Sequence, residues 1–216
     1  MGITRRTLLG LGIAGITAKP SFGKNIFDAL ERPQDSIGSS SGMKVISTWP
    51  FGLDANAKAM EVMLGGGTSL DAVEQGVKIT EADPTVTSVG YNGSLDRDGR
   101  LTLDACIMDH RGMCGSVACL EHIKHPISVA RAIMEKTSHV MLVGSGALSF
   151  AESQGFIREN IVTEDALKRW NDWKLSKQSP PPTPENHDTI GLLAIDAQGN
   201  LSGACTTSGL SYKLPG

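Results

Sequence analysis

The residues with the clearest chemical potential are Asp188 and Thr189. A threonine hydroxyl is a weak nucleophile until a neighbouring base takes its proton. Held in a strained turn, the Thr189 Oγ can attack the Asp188 carbonyl carbon and shift that peptide bond to an ester, which water then cleaves. The Asp188 carboxylate, one residue away, can accept the proton. Cleavage leaves Thr189 with a free α-amine of unperturbed pKa about 7.7–8.0, able to act as general base for its own hydroxyl. Asp-Thr is a common dipeptide, and its setting is what singles it out here. Residues 177–187, KQSPPPTPENH, contain four prolines and no apolar residue, the composition of an exposed, semi-extended connector. The connector runs directly into Asp188–Ile195, which reads as a buried strand.

The elements that must hold this junction can be read along the chain. Gln198-Gly199-Asn200 turns the strand back, and Leu201–Thr207 is its partner. Upstream, Met43–Trp49 reads as a first strand, stopped by Pro50. Ala57, Met60, Met63 and Leu64 recur at helical spacing in Asp54–Leu64, and Gly65-Gly66-Gly67 ends that helix. Thr68-Ser69 with Asp71 forms a capping pattern for a second helix, Leu70 to Ala82, closed by Asp83-Pro84. The two helices should pack as an antiparallel pair. A hairpin turn at Asp98-Gly99 precedes a strand at Leu101–Met108, and Gly112 turns the chain towards Gly115–Cys119. Pro126 opens a helix reaching Glu135. Val140–Val143 reads as a short buried strand, followed by a helix from Ala147 to Gln154. A last helix, Thr163 to Lys174, is expected to bury Leu167, Trp170 and Trp173 along one side.

Composition excludes several classes. The 216 residues are 40% hydrophobic, 20% charged and 5% aromatic, with 25 glycines and a formal charge of −3. This suits one globular domain and not a coiled coil, a collagen or a disordered chain. Without a basic patch, nucleic acid is not an expected partner. Residues 1–23 resemble a twin-arginine export signal: Arg5 and Arg6 precede an apolar run, Leu8–Ala18, too short for the roughly 20 residues of a membrane-spanning helix. Their removal takes away Arg5, Arg6 and Lys19 and no acid, leaving a mature charge of −6. An exported protein with no membrane attachment is the expectation. Residues 24–42 read as a linker ending in a Ser/Gly stretch. Cys106, Cys114, Cys119 and Cys205 allow three pairings, among which spacing does not choose. No metal or cofactor is expected. Glu121, His122 and His125 could mimic half a metal site, but surface or helix-cap roles suit them better.

His187-Asp188-Thr189-Ile190-Gly191, with Gly199–Gly209 (GNLSGACTTSG), resembles the glycosylasparaginase family of the N-terminal-nucleophile hydrolases. Further segments match in the same order. They are Ser47–Gly52 (STWPFG), Asp83-Pro84 with Ser88-Val89-Gly90, Asp96–Gly99, Leu103–Cys106 and Gly115–Ala118 through His122. The likeness covers Met43 to Gly216. It implies an α+β fold, a four-layer αββα sandwich, with 43–188 as the α-subunit part and 189–216 as the start of a β-subunit. Thr189 then matches the nucleophile, Asp188 the residue promoting self-cleavage, and Thr207 the threonine supporting activation. Trp49 and Ser88 match residues lining the substrate pocket. Read without the resemblance, Trp49 serves as well as a core aromatic, Ser88 as a loop hydroxyl and Thr207 as an ordinary strand residue.

The implied reaction is hydrolysis of the amide in GlcNAc-asparagine, by an αβ unit that pairs into a homodimer. Two alternatives stay open: a plant-type asparaginase or isoaspartyl peptidase, and a non-catalytic homologue. In the family, the segment matching Tyr212–Gly216 continues into Arg-Val-Gly-Asp-Ser-Pro, whose Arg and Asp grip the substrate's α-carboxylate and α-amine, and later into a Thr-Gly oxyanion pair. The fold is therefore expected to be incomplete at its C-terminus, the chain by itself inactive, and the strand from Thr189 left without a neighbour.

Overall fold

A computed structural model describes residues 42–176 and 189–215. The Arg5-Arg6 segment, the connector and Asp188 lie outside the described residues. The framework is one six-stranded sheet: β1 (Lys44–Ser47), β2 (Leu103–Met108), β3 (Cys114–Leu120), β4 (Met141–Val143), β5 (Ile190–Ile195) and β6 (Leu201–Thr207), in the order β1-β5-β6-β2-β3-β4. Neighbours are antiparallel except β3 and β4, which are parallel and joined through a helix.

Alternation along the strands decides what each face meets. Ile190, Leu192 and Ala194 of β5, Ala204 of β6, Ala105 and Ile107 of β2 and Val117 of β3 point to one side. There they pack on α1 (Gly52–Leu64), α2 (Ser69–Ala82) and α3 (Pro126–Lys136). The α2 cap forms as its residues predict: the Thr68 hydroxyl accepts from the Asp71 N–H at 3.1 Å, and the Asp71 carboxylate accepts from the Thr68 N–H at 3.1 Å. α1 and α2 approach so closely that a Cβ at Gly76 would sit 2.8 Å from the Ala55 carbonyl. α4 (Gly144–Ser153) starts directly at the end of β4 and buries Ala147 and Ala151. α5 (Glu164–Ser176) covers a smaller cluster of Leu95, Leu101, Leu103 and Ile161. Thr163 caps it by accepting from the Ala166 N–H at 3.0 Å.

One device recurs at three turns. Asp96, Asp109 and Asp196 each stand three residues before a glycine with φ near +80°. Each aspartate's backbone N–H bonds the carbonyl four residues on, and its carboxylate accepts the backbone N–H groups two and four residues on. Glycine tolerates the left-handed backbone, and the carboxylate satisfies amides the turn would otherwise leave unpaired.

The α+β class holds, and the described residues supply one sheet with α1, α2 and α3 packed on one face, two layers of the expected four. Four expectations change. β5 is an interior strand, paired by β1 and β6, so the strand after Thr189 has both edges filled. β4 is an edge strand with Met141 and Val143 exposed, not buried. α5 turns Ala166, Trp170 and Trp173 inward and leaves Leu167 exposed, a face spaced i, i+4, i+7. Asp98-Gly99 does not form a two-residue hairpin; it is the second half of the turn that begins at Asp96.

Candidate active site at the head of β5 and β6

The β5–β6 register ends with Ile190 opposite Thr206; carried on by one residue, it brings Thr189, which immediately precedes β5, level with Thr207. Thr207 is paired in turn with Asp104 of β2. Because successive side chains alternate, Thr189, Thr207 and Asp104 share the face away from the helices, in one row across three strands.

Thr189 is held by the segment following β1. Thr48 N–H bonds the Gly191 carbonyl at 3.0 Å, and the Thr48 hydroxyl accepts from the Gly191 N–H at 3.0 Å. That hydroxyl also donates to the Thr189 carbonyl at 2.9 Å, and the indole N–H of Trp49 reaches the same oxygen at 3.1 Å. Trp49 adopts φ 64°, the left-handed region that a bulky side chain avoids. Strain of this kind costs on the order of 1–3 kcal/mol and persists where its surroundings enforce it.

Thr207 is fixed from the other side. Its hydroxyl accepts from the Gly209 N–H at 2.9 Å and lies 3.5 Å from the Ser88 carbonyl. Ser208, fully buried, donates both its N–H and its hydroxyl to that same carbonyl at 2.8 Å. The Ser88 loop is thereby tied to the end of β6. Asp104 accepts from the Cys119 N–H at 2.8 Å and faces the Lys213 ammonium at 3.5 Å. Lys213 belongs to a loop held by α5, where Tyr212 stacks on Trp173 with ring centres 4.4 Å apart.

Four of the five site residues expected from the sequence, Trp49, Ser88, Thr189 and Thr207, are thus brought together, and Asp188 lies outside the described residues. Thr48, Asp104 and Lys213 were not singled out. For Thr48 the available signal was its alternation with Ile46, which puts it on the same face as Thr189.

All four cysteines are free thiols. Cys106 and Cys205 face one another across β2 and β6. A hydrogen bond from the Cys205 thiol, opposed by burial, pulls Cys106 down to about 6 and pushes Cys205 up. Glu121 pairs with Arg100, and His125 turns its Nδ1 to Glu81 at 3.0 Å. Among the described residues no three His, Cys, Asp or Glu side chains converge as a metal site, and no helix is long and apolar enough to cross a membrane.

Comparison with known proteins matches the chain to a family. A family model described as asparaginase matches residues 48–216. The N(4)-(beta-N-acetylglucosaminyl)-L-asparaginase of Elizabethkingia miricola is 58% identical over 209 residues, 96% of this chain and 60% of that protein. The mouse protein of the same name is 36% identical over 212 residues, 83% of this chain and 61% of its own length. An isoaspartyl peptidase/L-asparaginase of Xenopus laevis is 36% identical over 163 residues, 74% of this chain and 52% of that protein. The chain therefore spans about 60% of the length of the first two relatives. With the family model covering well over half of its residues, the chain belongs to the asparaginase family.

Proposed function

We propose that this sequence is part of an amidohydrolase that cleaves the amide between N-acetylglucosamine and the asparagine side chain, using Thr189 as an N-terminal nucleophile. Cleavage of the Asp188–Thr189 bond first frees the Thr189 α-amine. The Thr189 Oγ then attacks the side-chain carbonyl carbon of the substrate, and its proton passes through the α-amine to the departing nitrogen. The C–N bond breaks, the glycosylamine leaves and a β-aspartyl ester remains. Water adds to that ester, releases aspartate and restores the hydroxyl.

The observation that carries this reading is the Thr189 carbonyl gripped by Thr48 and Trp49 at the head of β5, level with Thr207 where the β5–β6 register is carried on by one residue. A nucleophile that is also its own base must be held at the backbone, because its side chain has to stay free to react. Thr207 supports the hydroxyl in this scheme, while Trp49 and Ser88 line the substrate pocket, Trp49 beside the substrate's amino-acid end. The names of the Elizabethkingia and mouse relatives support the glycosylated substrate. The Xenopus relative supports a second reading, hydrolysis of isoaspartyl bonds with the same nucleophile. We further propose export through the Arg5-Arg6 signal and assembly as a dimer of cleaved units.

Expressed from its intact gene, the protein should split in two on a denaturing gel, with the downstream fragment beginning at Thr189, and Thr189→Ala should leave a single chain. Turnover of GlcNAc-asparagine together with inertness towards isoaspartyl dipeptides supports the first reading, and the reverse preference supports the second. An uncleaved wild type that hydrolyses neither overturns both.

A further inference from the structure

Beneath the sheet, on the side facing the helices, a carboxylate lies where an apolar residue would be expected. Glu81, at the C-terminal end of α2, is 0% exposed. Its Oε1 accepts from the Thr206 hydroxyl at 2.8 Å and from the Ile127 N–H at 3.1 Å, and its Oε2 meets His125 Nδ1 at 3.0 Å. One side chain therefore joins α2, the start of α3 and β6. The loop carrying Ser88 is tied here as well: Gly90, two residues beyond Ser88 and at φ +60°, lies so close that a Cβ would overlap the Glu81 carbonyl. Burying a carboxylate is costly, and well-packed apolar residues often stabilise a core as well as a buried ion pair does. Stability alone is a weak reason for Glu81 to be there.

The position of its β6 contact supplies another. α2 is riveted to β6 at two points: the Ser69 hydroxyl meets the Ser202 hydroxyl at 2.9 Å at the start of α2, and Glu81 meets Thr206 at its end. The first rivet lies at the far end of the strand. The second lies one residue from Thr207, whose side chain emerges on the opposite face, level with Thr189 where the β5–β6 register is carried on by one residue. We propose that Glu81, acting through the Thr206 hydroxyl, is a positioning residue that sets the height of β6 at Thr207 and hence the alignment of Thr207 with the nucleophile. The inference rests on the reading of Thr189 and Thr207 given above.

The test uses protein expressed from the intact gene, with GlcNAc-asparagine as substrate. Thr206→Val keeps the shape and removes the hydroxyl; Thr206→Ser keeps the hydroxyl; Ser202→Ala breaks the distal rivet. Small misplacements of reacting groups cost up to about 100-fold in rate. Thr206→Val should accordingly lower kcat by about tenfold or more with KM within about twofold. Thr206→Ser should recover most of that loss, and Ser202→Ala should lower the melting temperature while leaving kcat near wild type. Glu81→Ala combined with Thr206→Val should be no slower than Glu81→Ala alone, since both break one link. If Glu81→Ala does not fold, the Val and Ser variants of Thr206 decide the matter. A wild-type kcat for Thr206→Val, failure of Thr206→Ser to recover, or an equal kcat loss in Ser202→Ala overturns the inference while leaving the proposed reaction intact. A wild type inert towards the substrate overturns the reading beneath it, and the inference falls with it.

Discussion

Cys106 shows how a single contact changes a residue's chemistry. It is exposed on the face of the sheet away from the helices, directly across from Cys205, and the hydrogen bond from that neighbour holds its thiol near 6 against an ordinary value of 9.0. The thiolate is the reactive form. Above about pH 6, Cys106 should be largely ionised while Cys205, shifted upward, stays protonated. Iodoacetamide at pH 7 is therefore expected to label Cys106 before Cys114, Cys119 or Cys205, as read by peptide mass spectrometry. Its rate should drop as pH falls through 6 and vary little from 7 to 8. Cys205→Ala removes the donor, so the same drop should move to higher pH and the neutral rate should decline. Labelling of another cysteine first would contradict the assignment.

Glycines with the same backbone conformation need not carry the same constraint. Gly112 has φ +82° with open space around it, whereas Gly90 has φ +60° and presses on the α2 backbone at Glu81. Gly112→Ala should cost only the left-handed strain, about 1–2 kcal/mol. Gly90→Ala adds a backbone overlap on top of strain, and overpacking typically costs about a further 1–3 kcal/mol. Denaturant melts of the two variants should differ accordingly; equal losses would mean that the close approach relaxes freely. Most elements were legible in the sequence because their ends are chemically marked: Thr68 and Asp71 at α2, Pro126 at α3, Gly65 after α1. Less legible were features decided by distant partners. A short apolar run such as 140–143 reads the same whether it is central or at an edge, and only pairing with β3 puts it at the edge. Thr189 and Thr207 could be found from local pattern, but Thr48 and Glu81 act across 141 and 125 residues of sequence. No window along the chain contains both partners of either bond.

At the scale of the whole molecule, charge and apolar surface set the conditions under which the fold persists. Burial raises the Asp71, Asp109 and Asp196 carboxyls, and hydrogen bonds outweigh it: to Thr68 and Arg131 for Asp71, to Arg111 and Met113 for Asp109, and to turn amides for Asp196. All three end below the ordinary 3.8. An acid whose folded value is depressed stabilises the fold above its unfolded value, and that contribution is lost as pH falls through the folded one. Glu81, raised mainly by burial, has the opposite sign and offsets part of the loss. The melting temperature should therefore fall as pH drops below about 4, and Asp109→Asn should flatten that slope; an unchanged slope would remove Asp109 from the explanation. At neutral pH the open sheet face matters more. Ile46, Met108, Leu193, Met141 and Val143 are between 49 and 66% exposed on it, and Met108 and Leu193 are both register partners of Gly203. An exposed apolar patch of this kind marks a surface that associates, and a formal charge of −3 opposes association only weakly. The 216-residue polypeptide expressed by itself is expected to elute from a sizing column at an apparent mass that grows with concentration. Met108→Glu with Leu193→Lys should return it to a single concentration-independent species with the same far-ultraviolet circular dichroism. A monomer at all concentrations without those substitutions would show that the open face is not sticky enough to drive association.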